Sequence, residues 1–137
     1  MDLPNQGHRE VEHTADWELE VWGPDMAALL EEAARGMYEL MAVEVSDESR
    51  RHRGVEMQVD DREHMMVSFL EELLFLADTE DLAFDCFLLK VEDCQLLGHL
   101  EGGFIVSRSK EIKAVTFHSL EIGSSGEGLR THIVFDV

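Results

Sequence analysis

Two segments of this chain repeat apolar residues at helical spacing, and much of the remainder alternates with the period of a strand. Met26, Leu29, Leu30, Ala33, Met37, Leu40 and Met41 make one stripe, and Met66, Phe69, Leu70, Leu73 and Leu74 make the other. A helix with an apolar stripe must bury it against another layer. Strands can supply that layer. His8 to His13 alternates moderately, and Trp17 to Trp22 alternates cleanly, with Trp17, Leu19 and Val21 on one face and Glu18, Glu20 and Trp22 on the other. Val55, Met57 and Val59 alternate between the two helices. Phe84–Val91, Leu96–Leu100, Ile112–His118 and Leu129–Val137 follow the second. Gly23-Pro24 stops the second strand, and Asp25 can cap the helix after it. Asp60 and Glu63 have the spacing of a capping box at the next helix. Gly102-Gly103 reads as a break, and Gly123-Ser124-Ser125-Gly126 as the loop before the last strand. The order predicts an α+β fold: a two-layer domain in which a mixed or largely antiparallel β-sheet carries both amphipathic helices on one face. At 137 residues the chain fits one domain, 1–137, large enough to bury a core without staples.

Charge narrows the function. The formal net charge is −19. Such a surface repels phosphate, which argues against stable nucleic-acid binding, and attracts divalent metal or a basic protein. Solubility alone also accounts for most of these carboxylates. One basic cluster, Arg50-Arg51-His52-Arg53, interrupts the acidity and offers either a phosphate contact or a solvated loop. No apolar run approaches the roughly 20 residues that span a bilayer, and Met1–Asn5 does not open a secretory signal. The two cysteines, Cys86 and Cys94, fall in different expected strands without metal or redox spacing, as in reduced cytosolic proteins. The chain is therefore expected in the cytoplasm.

The motifs of common chemistries are missing. There is no Gly-x-Ser-x-Gly elbow, phosphate-binding loop or dinucleotide fingerprint. The seven histidines do not fall into zinc spacing. Carboxylates remain. Asp16 sits in an apparent turn after the first strand, and Asp136 and Val137 finish a strong strand pattern, LRTHIVFDV. If the last strand lies beside the first, Asp16, Asp136 and the Val137 carboxylate converge, and clustered anions of this kind call for a hard cation. The plainer reading is that such Asp residues cap turns.

Four motifs carry a resemblance. His13-Thr14-Ala15-Asp16 followed by ELEVWG, Phe69–Leu76 (FLEELLFL), Lys113-Ala114-Val115-Thr116-Phe117-His118, and the ending Val134-Phe135-Asp136-Val137 resemble, in order and spacing, the signatures of the archease family. Phe117 stands where that family's motif has Tyr, so any role of the phenol hydroxyl is absent. The resemblance implies a cofactor protein, not an enzyme. Its partner would be an RtcB-type RNA ligase, whose GTP-dependent guanylylation and multiple turnover it promotes in tRNA splicing or RNA repair. It also implies a divalent metal, calcium in preference to magnesium or manganese, held by Asp16, Asp136 and Val137. Lys113 becomes a candidate partner or phosphate contact. Two other readings compete: a metal-dependent phosphoester hydrolase, and a chaperone-like adaptor with no metal.

Overall fold

Two aspartates start the helices. Asp25 accepts from the backbone N–H of Ala28 at 2.8 Å, and Asp61 accepts from that of His64 at 2.7 Å. The second cap is thus Asp61, and the expected Asp60–Glu63 box does not form, because the Glu63 carboxylate instead takes the backbone N–H of Ile122 at 2.8 Å. The computed structural model describes residues 5–11, 17–126 and 128–137. Along the chain it contains β1 (Gly7–Val11), β2 (Trp17–Gly23), α1 (Met26–Met41), β3 (Glu44–Val45), β4 (Arg51–Gln58) and α2 (Arg62–Glu80). The remaining elements are β5 (Leu82–Glu92), β6 (Gln95–Ser107), β7 (Ala114–Val115), β8 (Gly123–Ser125) and β9 (Gly128–Asp136). No helix among the described residues is long and apolar enough to cross a membrane.

The fold is α+β, as expected, with its strands divided between two antiparallel sheets. In the first the order is β1-β2-β9-β7, and β8 also pairs with β9. In the second, β6 lies at the centre and pairs with β3, β4 and β5. Helix α1 packs on β1, β2 and β9 of the first sheet and β5 of the second, while α2 touches β7 of the first and β5 and β6 of the second. A helix held against two sheets buries a broad arc. Hence Met65, Met66 and Val67 are all buried in α2, although consecutive residues on a helix point in different directions. Leu19 and Val21 of β2, Phe69 and Leu73 of α2, Phe84 of β5 and Phe135 of β9 belong to one buried cluster.

Gly102-Gly103 does not break a strand. Strand β6 runs straight through the pair, and each glycine sits where other backbone comes too close for a side chain: β5 at Gly102, and Ser46, just after β3, at Gly103. A Cβ at Gly102 would stand 1.9 Å from the Ala83 carbonyl oxygen, beside the bulge that β5 makes between Phe84 and Cys86. Gly123, by contrast, has open space around its missing Cβ. Gly102→Ala is therefore expected to cost about 3 kcal/mol, the upper range for forcing atoms into a filled site. Gly123→Ala should be neutral within about 0.5 kcal/mol. Urea unfolding of the two variants compares them directly.

Strand β1 is fastened to α1 by charge. His8 Nδ1 lies 2.9 Å from Glu32 Oε1 and His8 Nε2 lies 2.5 Å from Glu39 Oε2, while Gln6 donates to Glu32 Oε2 at 2.6 Å. Only the imidazolium can donate from both ring nitrogens. Burial lowers the His8 pKa, but the hydrogen bonds and charges of Glu39 and Glu32 outweigh it, and the net shift is upward from 6.5. A raised folded-state value means that this contribution is complete below about pH 6.5 and fades as pH rises through the folded value. Stability of the native chain should fall over that interval. His8→Gln should flatten the dependence, as followed by thermal unfolding between pH 5.5 and 8.5. A slope unchanged in the variant would remove His8 as its cause.

Candidate functional site

Three stretches of chain meet at the far end of β9. Phe135 is fully buried and pairs with Trp17 at the start of β2. The next residue, Asp136, is exposed, as is Val137 after it. The Asp136 backbone is held nonetheless: Lys113 N–H donates to its carbonyl at 2.8 Å, and Ala114 is its partner across the β7–β9 ladder. Two residues earlier, the Val134 carbonyl accepts both the backbone N–H and the hydroxyl of Thr116, each at 3.0 Å. The Thr116 hydroxyl oxygen in turn accepts from His118 N–H at 3.2 Å. Lys113–His118 is thus a strap along β9. Only Ala114 and Val115 of it form a regular strand, since the Thr116 hydroxyl ends the ladder with a local turn.

The structure brings Lys113 to Asp136 through the backbone and leaves the lysine side chain exposed. Asp136 makes no hydrogen bond or ion pair with any described side chain, so its carboxylate is available to a ligand. Asp16, with the rest of the His13–Asp16 motif, lies outside the described residues. Sequence reasoning passed over a neighbour. The Lys110 ammonium sits 4.6 Å from the centre of the Trp17 ring, a cation–π contact. Its backbone is anchored to the end of α1, where Met41 O accepts from Ser109 N–H at 3.0 Å and from Lys110 N–H at 3.3 Å. The only advance signal for Lys110 was its nearness in sequence to Lys113.

The basic cluster is consumed by internal pairs. The Arg50 guanidinium donates to both Asp85 oxygens and to Glu101 Oε2. Its hydrogen bonds and charge hold the Asp85 carboxyl below the usual carboxylate range. Arg53 donates to Glu80 Oε1 at 2.6 Å, His52 lies 3.5 Å from Glu101, and Arg51 stacks over Phe104 at 4.8 Å. Arg51, His52 and Arg53 open β4, where the alternation had suggested only a loop before Val55. Asp85, Cys86 and Glu101 offer ligand atoms within 4.8 Å of one another. Arg50 already pairs with both of those carboxylates. Desolvation and the charges of Asp85 and Glu101 also push the Cys86 thiol up, away from the thiolate that binds metal. Both cysteines are free, Cys86 in β5 and Cys94 in the turn after it, not in a second strand.

Comparison with known proteins agrees with this architecture. The model of the archease protein family matches residues 8–137. Protein archease of Methanothermobacter thermautotrophicus is 31% identical, over 96% of this chain and 99% of that protein. Protein archease of Aeropyrum pernix is 30% identical, over 96% and 97% respectively. The solution structure of Methanobacterium thermoautotrophicum protein 1598 is similar with a TM-score of 0.72 at 29% identity, covering 96% of this chain and 99% of that one. The crystal structure of a Thermotoga maritima archease, described there as a possible chaperone, has a TM-score of 0.71 at 25% identity, covering 100% and 98%. With its β9 strap, its motifs and a family match over nearly its whole length, this chain belongs to the archease family.

Proposed function

We propose that this protein is a metal-bearing cofactor of an RtcB-type RNA ligase, acting in the cytoplasm and performing no catalysis of its own. In this reading Asp16, Asp136 and the Val137 carboxylate hold a divalent cation, calcium in preference to magnesium or manganese. The protein then promotes GTP-dependent guanylylation of the ligase and its multiple turnover in tRNA splicing or RNA repair.

The observation that carries the metal assignment is the β2–β9 register. Trp17 is the partner of Phe135. Asp16 directly precedes Trp17 in sequence and Asp136 directly follows Phe135, so this pairing supports a meeting of the two motifs. Oxygen ligands suit a hard cation, and the donor set fits one: a carboxylate with no described partner, on a backbone fixed by the Lys113 N–H. Three such groups leave coordination positions for water or for a group of the partner, since calcium takes about 6–8 oxygens. The net charge of −19 supports attraction to a basic, nucleotide-binding cleft. In the same reading Lys113, which is exposed beside Asp136, contacts a phosphate or an acidic group of that partner.

Membership of the family supports the cofactor reading over the hydrolase. The chaperone-like adaptor differs in needing no metal, so calorimetric titration with calcium and manganese separates the two. Asp136→Ala should retain the folded spectrum of the native chain. It should also weaken metal binding at least about tenfold, a cost already usual for losing a mere supporting group, and fail to stimulate ligase guanylylation. Full stimulation by a folded Asp136→Ala protein would sink the metal site.

A second test concerns Val137. One residue added after it carries the carboxylate about 3.3 Å further along an extended chain and leaves a neutral amide in its place. A C-terminal extension should therefore lower both metal affinity and stimulation, whereas an N-terminal extension should lower neither. Equal performance by the two extended forms would reject Val137 as a ligand.

A further inference from the structure

Away from Asp136, the outer side of α2 presents an open groove. Phe75 is 58% exposed and Phe117, carried over from the β9 strap, is 57% exposed. Between them lie His64, Val67, Glu71 and Glu72, and the His64 and Phe117 rings meet edge to face with centroids 6.4 Å apart. His64, Glu71 and Phe75 stand seven and then four residues apart, so they line one face of the helix. This face is not the buried one: Met66, Phe69, Leu70 and Leu73 already occupy the core.

Exposed aromatics at this density are costly to leave in water and are the usual anchors of protein recognition. The rim decides the occupant. Among the described residues the groove is lined by two carboxylates and by no lysine or arginine. Nucleic acid is disfavoured there by its phosphates. A second copy of this chain is disfavoured by mutual repulsion between bodies of net charge −19. A small molecule would be held poorly, because the groove is open and drug-sized ligands bind where about 70–90% of their surface is covered. We infer that the groove between α2 and Phe117 docks a protein segment that presents an apolar side chain flanked by lysine or arginine. The apolar side chain lies between Phe75 and Phe117 over Val67, and the basic groups pair with Glu71 and Glu72.

The groove is also joined to β9. Phe117 follows Thr116, whose N–H and hydroxyl clasp the Val134 carbonyl. A segment seated on Phe117 therefore bears on the strap that positions Asp136.

The test uses the full chain, isotope-labelled, and two synthetic peptides of equal length and charge. One alternates lysine or arginine with leucine; in the other serine replaces each leucine. The leucine peptide should shift the amide resonances of Ser68, Glu72, Phe75 and Phe117 saturably, and the serine peptide should bind about tenfold more weakly. Phe75→Ser and Phe117→Ser alter exposed side chains, so each should keep the native thermal midpoint while lowering leucine-peptide affinity about tenfold. Glu71→Lys with Glu72→Lys should weaken it comparably. Equal binding of the two peptides, shifts spread over the acidic surface, or no binding of either would overturn the proposal. Movement of the same resonances with protein concentration alone would assign the groove to a second copy and overturn it as well.

Discussion

The arrangement depends on β9 being hydrogen-bonded along both edges. On one edge it takes β2, from Trp17–Phe135 to Gly23–Leu129; on the other it takes β8 near its start and β7 near its finish. A strand in that position cannot slip by one residue without turning Ile133 and Phe135, both fully buried, to the other face of the sheet. The register therefore fixes where Asp136 stands relative to Trp17. Precision at an exposed strand end is otherwise hard to obtain, because terminal residues lose order unless they are paired or strapped.

The Lys113–His118 strap shows how a motif can matter through its backbone. A resemblance carried by Lys113–His118 directs attention to a side chain, that of Lys113. Here the peptide N–H of Lys113 and the hydroxyl of Thr116 are spent on β9, while the lysine and Phe117 side chains face outward. The structural and the exposed parts of the motif thus divide residue by residue. Its effect on the site passes through carbonyls of β9 that any residue would supply.

Much of this was legible in the sequence, and the exceptions have particular causes. The alternation of Trp17–Trp22 correctly separated Leu19 and Val21, buried under α1, from Glu18, Glu20 and Trp22. Glu20 itself is only 4% exposed, because Arg9 and Arg130 from the flanking strands reach its two oxygens. No single strand contains that information. The division into two sheets was hidden for a similar reason: period-2 patterns reveal strands, but the partner of each is decided by contacts across the chain. Gly102-Gly103 misled because glycine marks close approach as readily as it marks a turn. The pairing of Arg50 with Asp85 and Glu101 was invisible because its partners lie 35 and 51 residues away. At the candidate site the strand carrying Asp136 was legible and its strap was not, since the motif identified the Lys113–His118 residues but not the direction of their hydrogen bonds.

The two sheets also differ in how far apart in the chain their partners lie. Strands β5 and β6 are joined by a turn at Asp93-Cys94, so their pairing closes a very short loop. The pairing of Gly23 with Leu129 closes one of more than a hundred residues, containing both helices and the whole second sheet. Loop-closure entropy grows with such a span, and long-range pairing slows folding. During synthesis the second sheet can therefore assemble as soon as β6 has emerged. Strand β2 has no partner for its second edge until β9 is made. The sheet that carries the candidate site is consequently the last whose strands are all made, and the buried cluster shared by the two sheets is complete only when Ile133 and Phe135 of β9 join it.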